Sequence, residues 1–328
     1  MRLNDFMEDS HIPKDTLRMV KNLPLYGKEA LDNYLNEKSD FSKSSSLGNI
    51  FKNFSYDTSS KDDFYHYTTV NSLKKIVKSK TWLIKQINFM NDPEEFKYTV
   101  QLGIKYLNEL DATADEISFF EKDFRNSPFN DLYVWSFTKN RSSQTLFGNY
   151  SGNKDGVALK FDVDNLQRTL ATHFSNGKDD LNNFSTGDAY VFPLRATYDK
   201  DVQKRYLYPI IQEWLFAQRC IKEDPDDMNR IILVCIKTIK IFAMCFKNPI
   251  LRQEEEIRFV IANINNDMEM HPDILVNDAP FVKVEIDNNL IKEAILQTGN
   301  TVTTEELKSF LLVNGFQNVK VSRSELPY

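Results

Sequence analysis

The sequence predicts an α+β protein, on three observations. Short runs such as Leu132–Thr138 and Glu256–Ala262 alternate in the way a half-buried strand does. Other runs repeat apolar residues at i, i+3 and i+4, as Leu73, Ile76 and Val77 do, which is the helical period. The two kinds mix without a regular strand–helix–strand beat, which separates α+β from a doubly wound sheet.

Composition sets the outer limits. A chain of 328 residues with 41% hydrophobic and 27% charged residues has enough apolar material for a proper core. Phenylalanine (24) and tyrosine (14) are abundant and glycine (10) is scarce, so packed helices and sheets are favoured over a loop-rich chain. A net charge of −6 argues against a protein whose main task is coating nucleic acid, because phosphate binding needs a basic face. Cys220, Cys235 and Cys245 lie in apolar helical patterns and read as reduced core residues of a cytoplasmic protein. Met1–Lys14 has no apolar centre and so does not read as a signal peptide. The apolar run Ile231–Phe246 is interrupted by Lys237 and Lys240 and is shorter than the roughly 20 residues of a bilayer span, so it reads as a buried helix.

Residues 1–60 read as a helical, linker-like extension, and residues 61–328 as a single α+β domain. In the extension, Asp15-Thr16 lead a helix that stops near Pro24, a second piece follows around Leu31 and Tyr34, and the serine-rich stretch Ser39–Ser46 reads as linker. A strand then ends at His66-Tyr67, with Thr68 or Thr69 placed to cap the next helix. Trp82–Lys85 is a strand, Asn88–Pro93 a loop, and a helix runs from Pro93 or Glu94 to Leu110. Leu132–Thr138 is a strand, Ser142–Tyr150 a short helix, and Gly156–Phe161 and Val191–Tyr198 are strands. Two longer helices, about Gln203–Cys220 and Asp227–Phe246, precede strands at Glu256–Ala262 and Val282–Ile286. Near the end, Thr303-x-x-Glu306 is a capping box, Leu307, Phe310 and Leu311 form an apolar face, and Asn314-Gly315 stops the helix before a strand at Val319–Val321.

Several chemistries are unsupported. No Gly-x-Gly-x-x-Gly turn, Walker loop or Gly-x-Ser-x-Gly elbow is present, and the four histidines are far apart, without a cysteine or histidine at zinc-ligand spacing. A site built from side chains on a sheet is left. Tyr65-His66-Tyr67-Thr68-Thr69 offers an imidazole and a hydroxyl at a strand-to-helix junction, a place suited to a ribose or phosphate. Asn91-Asp92-Pro93 with Glu95 reads most economically as a turn that starts a helix. Trp135-Ser136-Phe137-Thr138, running on to Tyr150, supplies aromatic faces of the kind that hold a flat cationic ring. Glu254-Glu255-Glu256-Ile257-Arg258 opens a strand with Ile257, Phe259 and Ile261 on one face and Glu256 and Arg258 on the other.

With the ending Ser324-Glu325-Leu326-Pro327-Tyr328, these motifs resemble an uncharacterised bacterial family, domain of unknown function 2971, over about Tyr65 to Tyr328. The order His, Tyr, Glu also resembles the NAD-reading plan of ADP-ribosyltransferases. That likeness implies a split β-sheet fold with extra helices and an NAD cleft. It implies that His66 and Thr68 hold the adenosine-side ribose, with Tyr67 where glycine is usual, and that Trp135 and Tyr150 clamp nicotinamide beside Ser136. Glu256 then stabilises the sugar cation that forms as the nicotinamide bond breaks, and Arg258 binds pyrophosphate or positions Glu256. The acceptor is a protein or nucleic acid, with a toxin or anti-phage role and an antitoxin or regulatory partner as corollaries. Two other classes stay open. One is a metal-dependent hydrolase or nuclease that uses Asp92, Glu95, Glu254 and Glu256 as oxygen ligands. The other is a non-catalytic binding module in which Glu256 and Arg258 are a structural pair.

Overall fold

The alternating run Leu132–Thr138 becomes the strand on which the sheet is built. The structure is a computed structural model that describes residues 2–9, 11–58, 62–90, 94–126, 132–151, 154–174, 190–262 and 272–326. It is a mixed α+β architecture in two compact units, a helical one from Met1–Ser55, Asp92–Phe129 and Thr197–Arg252, and a sheet-bearing one from Tyr56–Asn91, Asn130–Ala196 and Gln253–Tyr328. This partition replaces the expected division into an extension (1–60) and a single domain (61–328), because the first 55 residues share a core with segments far along the chain.

Among the described residues the sheet has ten strands. Numbered along the chain, its strands are β1 (Asp63–Thr69), β2 (Thr81–Gln86), β3 (Leu132–Thr138), β4 (Gly156–Asp162), β5 (Tyr190–Arg195), β6 (Glu256–Ala262), β7 (Ile274–Val276), β8 (Ala279–Glu285), β9 (Ile291–Leu296) and β10 (Lys320–Arg323). One path runs β10-β9-β4-β1-β3-β2-β8-β7, and β6 pairs along all of β3 and carries β5 on its far side. β3 is therefore a branch point. One of its edges is fully paired with β6, while the other is shared, bridging to β1 only at Tyr65↔Thr138 and to β2 at Lys85↔Val134 and Gln86↔Tyr133.

Alternation then sorts side chains between two faces. One face carries Phe64, Tyr133, Trp135, Phe137, Phe161, Ile257 and Phe259, which form the main core with residues of α6 (Val70–Ser79), α10 (Val163–Phe174) and α13 (Thr304–Val313). Four aromatics of this layer, Trp82, Trp135, Phe137 and Phe161, meet with centroids 4.6 to 5.6 Å apart, the tilted and edge-on spacing that aromatic rings favour. The other face carries a smaller cluster, in which Tyr65, Tyr67, Ala158 and Ile295 pack under Leu146 and Phe147 of α9 (Gln144–Tyr150).

The helical unit is organised on α11 (Lys200–Arg219) and α12 (Pro225–Cys245), with α3 (Leu25–Leu35), α4 (Asp40–Ser45) and α7 (Glu94–Glu109) packed on α11. Asp224 caps α12 by accepting the Asp227 N–H, and Pro225 takes the first helical position, where a missing N–H costs nothing. Ser39–Ser46, expected as linker, is α4, capped by the Ser39 hydroxyl, which accepts the Ser42 N–H, and anchored by the buried Phe41. Cys220, Cys235 and Cys245 are buried thiols without a disulfide, and among the described residues no helix is long and apolar enough to cross a membrane.

Candidate functional site

The branch of the sheet is where His66 sits. β1 and β3 are bridged at Tyr65↔Thr138 and then part, which among the described residues leaves the carbonyl of Ser136 without a strand partner on that side. The His66 imidazole fills that place, its Nδ1 2.8 Å from the Ser136 carbonyl oxygen. A carbonyl only accepts, so Nδ1 carries the proton and the tautomer follows from the geometry. The ring stands edge-on to Trp82 and Phe137, and its removal from water lowers its pKa from 6.5 to about 4, only partly offset by the Ser136 bond. It is a neutral donor at physiological pH. Thr68 is half-buried on the same side, and Thr69, not Thr68, caps α6 by accepting the Ser72 N–H.

Trp135 is on this core face too, 2% exposed, with its indole N–H buried and without a hydrogen-bond partner among the described residues. Tyr150 ends α9, on the opposite face, and is 39% exposed. A ring cannot be sandwiched by two side chains with a sheet between them, so the expected Trp135–Tyr150 nicotinamide clamp is not formed. Tyr67 is committed elsewhere. Its hydroxyl donates to the Asn140 carbonyl and accepts the Ser143 N–H, both at 2.9 Å, and so fixes the loop that leads into α9.

The charged centre lies on the face away from the main core. The short 3₁₀ turn Pro249–Glu254 ends in Glu255 at φ 43°, a conformation uncommon for a residue with a side chain, and β6 starts at the next residue. Alternation then sends Glu256 and Arg258 one way while Ile257 and Phe259 enter the core. Arg258 donates from Nη2 to Glu256 Oε2 at 2.7 Å, and the two side chains are only 1% and 9% exposed. Cross-strand register puts Ser136 beside Arg258 and Thr138 beside Glu256. The Ser136 hydroxyl oxygen is buried with no hydrogen-bond partner among the described residues, whereas Thr138 Oγ1 accepts the Asn140 N–H. Glu254 is buried just before the strand.

Of the predicted site residues, Ser136, Glu256 and Arg258 are therefore brought together, and His66, Thr68 and Trp135 are placed on the other face. Asn91, Asp92 and Pro93 lie outside the described residues, as does the side chain of Glu95, so two of the four carboxylates of the metal reading, Asp92 and Glu95, lie outside them, while Glu254 and Glu256 are described. Among the described residues no three metal-ligating side chains gather. Sequence reasoning missed a further polar group on the same face as Glu256. Register extends the row from Glu256 and Thr138 through Tyr65 of β1 and Lys160 of β4 to Glu293 of β9. Tyr65 and Glu293 are 5% and 6% exposed, and Arg141, in the loop after β3, pairs with Glu293. The alternation of β1 marks Tyr65 as opposite to Phe64, but only the pairing of five strands brings these residues into line.

In comparisons with known proteins, no family model, no curated protein and no solved structure matches the chain.

Proposed function

We propose that the sheet-bearing unit is an enzyme similar to an ADP-ribosyltransferase, with Glu256 as the carboxylate that stabilises a sugar cation as NAD loses nicotinamide. The observation that carries this reading is the buried Glu256–Arg258 pair, 2.7 Å apart on an otherwise apolar strand. Two charges withdrawn from water rarely stabilise a fold more than apolar residues of the same size would, so such a pair points to use and not to stability. A carboxylate fixed by a guanidinium where water is excluded is also preorganised for a developing positive charge, and needs no reorientation as the bond breaks. Arg258 is then a positioning residue. The residues expected to hold NAD support the reading less. His66, Thr68 and Trp135 face the core, so they are not assigned to the substrate, and no binding step is drawn through them.

That division favours a second reading, a non-catalytic binding module in which Glu256 and Arg258 only tie β6 together. Incubation with NAD labelled in the adenine ring, with and without cell lysate, separates the two. The enzyme reading expects label to enter the protein or nucleic-acid fraction with wild-type protein and not with Glu256→Gln, which names the acceptor class. A folded wild-type protein that leaves all label in NAD supports the binding module.

A further inference from the structure

The bonds around Glu293 are lopsided. Arg141 donates to Oε1 from Nη2 at 2.9 Å, Ser322 donates to it at 2.7 Å, and the Lys320 ammonium lies 3.7 Å from it. Oε2 receives no hydrogen bond among the described residues, although the residue is 6% exposed. Burial alone would raise the Glu293 pKa, but the Ser322 and Arg141 hydrogen bonds outweigh it and hold the carboxyl below its ordinary range, so it is ionised.

Two strands away stands the hydroxyl of Tyr65. Tyr65 is 5% exposed, and its phenol oxygen has no hydrogen-bond partner among the described residues. Burial pushes its pKa up, so it stays protonated and keeps its donor. Between the two, Lys160 pairs in register with both, and among the described residues its ammonium makes one ion pair, to Asp63 at 2.7 Å. At about 4.8 Å per strand the backbones of Tyr65 and Glu293 are roughly 10 Å apart. Arg141 bonds only through Nη2 among the described residues, which leaves its remaining N–H groups for a ligand.

The site thus offers an acceptor, a phenol and spare cationic donors, with the signs nearly balanced. An anion would meet the ionised Glu293, and a cation would meet Arg141 and Lys160. A hydroxyl group donates and accepts at once and suits both, and two neighbouring hydroxyls can share one carboxylate while taking bonds from the cations. We propose that Tyr65, Lys160, Arg141 and Glu293 form a binding site for the vicinal diol of a sugar, with ribose as the probe class. The site is distinct from Glu256 and stands whether or not that residue cleaves NAD.

The test titrates adenosine and 2′,3′-dideoxyadenosine into the full chain by calorimetry or ligand-observed NMR, for wild type, Tyr65→Phe and Glu293→Gln. Adenosine should bind saturably to wild type, and about tenfold or more weakly to Tyr65→Phe, whose melting temperature should match wild type because the hydroxyl holds nothing in the fold. Dideoxyadenosine should bind at least tenfold more weakly than adenosine. Equal binding of the two nucleosides, no binding of adenosine, wild-type affinity in Tyr65→Phe, or displacement of adenosine by inorganic phosphate would overturn the proposal. If Glu293→Gln fails to fold, Tyr65→Phe decides alone. Adenosine has no nicotinamide bond, so this outcome is independent of NAD turnover.

Discussion

His66 shows how one residue can read as a ligand group in the sequence and serve as a joint in the fold. Its imidazole replaces a strand where β1 and β2 diverge from β3, and being neutral is part of that task. The consequence is a pH effect of definite sign. Above about pH 6.5 the ring is neutral folded or unfolded and pH has no grip on it. As pH falls from 6.5 to about 4, the unfolded chain takes a proton that the fold refuses, so stability drops, by about 3 kcal/mol in all, and the loss levels off below that. Urea titrations from pH 7.5 to 4 on wild type and His66→Gln check this: the difference in unfolding free energy should shrink by about that amount, and a constant difference would remove His66 from the joint. Arg258 is the other residue with a clear consequence. Arg258→Ala leaves the Glu256 charge buried without the guanidinium and should cost about 3 kcal/mol or more, read as a lower urea midpoint. A change below 1 kcal/mol would mean the pair is hydrated.

At the scale of elements, what was legible was what is written locally. The capping box of α13 is present in full, with the Thr303 hydroxyl accepting the Glu306 N–H and the Glu306 carboxylate accepting the Thr303 N–H. Thr303→Ala should lower stability by about 1 kcal/mol in the same urea experiment, and an unchanged midpoint would show that this helix is held by packing alone. β3 and β6 match their expected spans because each alternates cleanly. Ser39–Ser46 reads as linker from its serines, yet Ser39 is a cap and Phe41 an anchor, so composition there hides a helix that packing on α11 completes. β9 is not legible in the sequence because Ile291–Leu296 is buried at almost every position and its burial does not alternate. The faces of the site failed for a related reason. Alternation inside β6 correctly separates Glu256 from Ile257, but whether His66 shares a face with Glu256 depends on register across β1, β3 and β6, which no single strand encodes.

For the whole molecule, the finding that departs furthest from the sequence is that the segments of two units alternate along the chain. The helical unit closes only when the first 55 residues meet segments that begin at Asp92 and Thr197. Its α11 buries Leu207, Ile210, Ile211, Trp214 and Leu215 in part against α3 and α4. A fragment of residues 56–328 should therefore expose apolar helix faces, and should aggregate or melt without a cooperative transition by circular dichroism. Full-length melting behaviour in that fragment would restore the picture of a helical, linker-like extension. The sheet-bearing unit puts its conspicuous aromatics into the core and its charges on the opposite face, so chemistry, if this unit performs any, belongs to the charged face. The most direct test is nicotinamide release from NAD by wild-type protein and by Glu256→Gln protein shown to melt at a comparable temperature. Release by wild type that falls at least a hundredfold in the variant is the expected result. Equal release by both, or none by a folded wild-type protein, would contradict a catalytic role for Glu256.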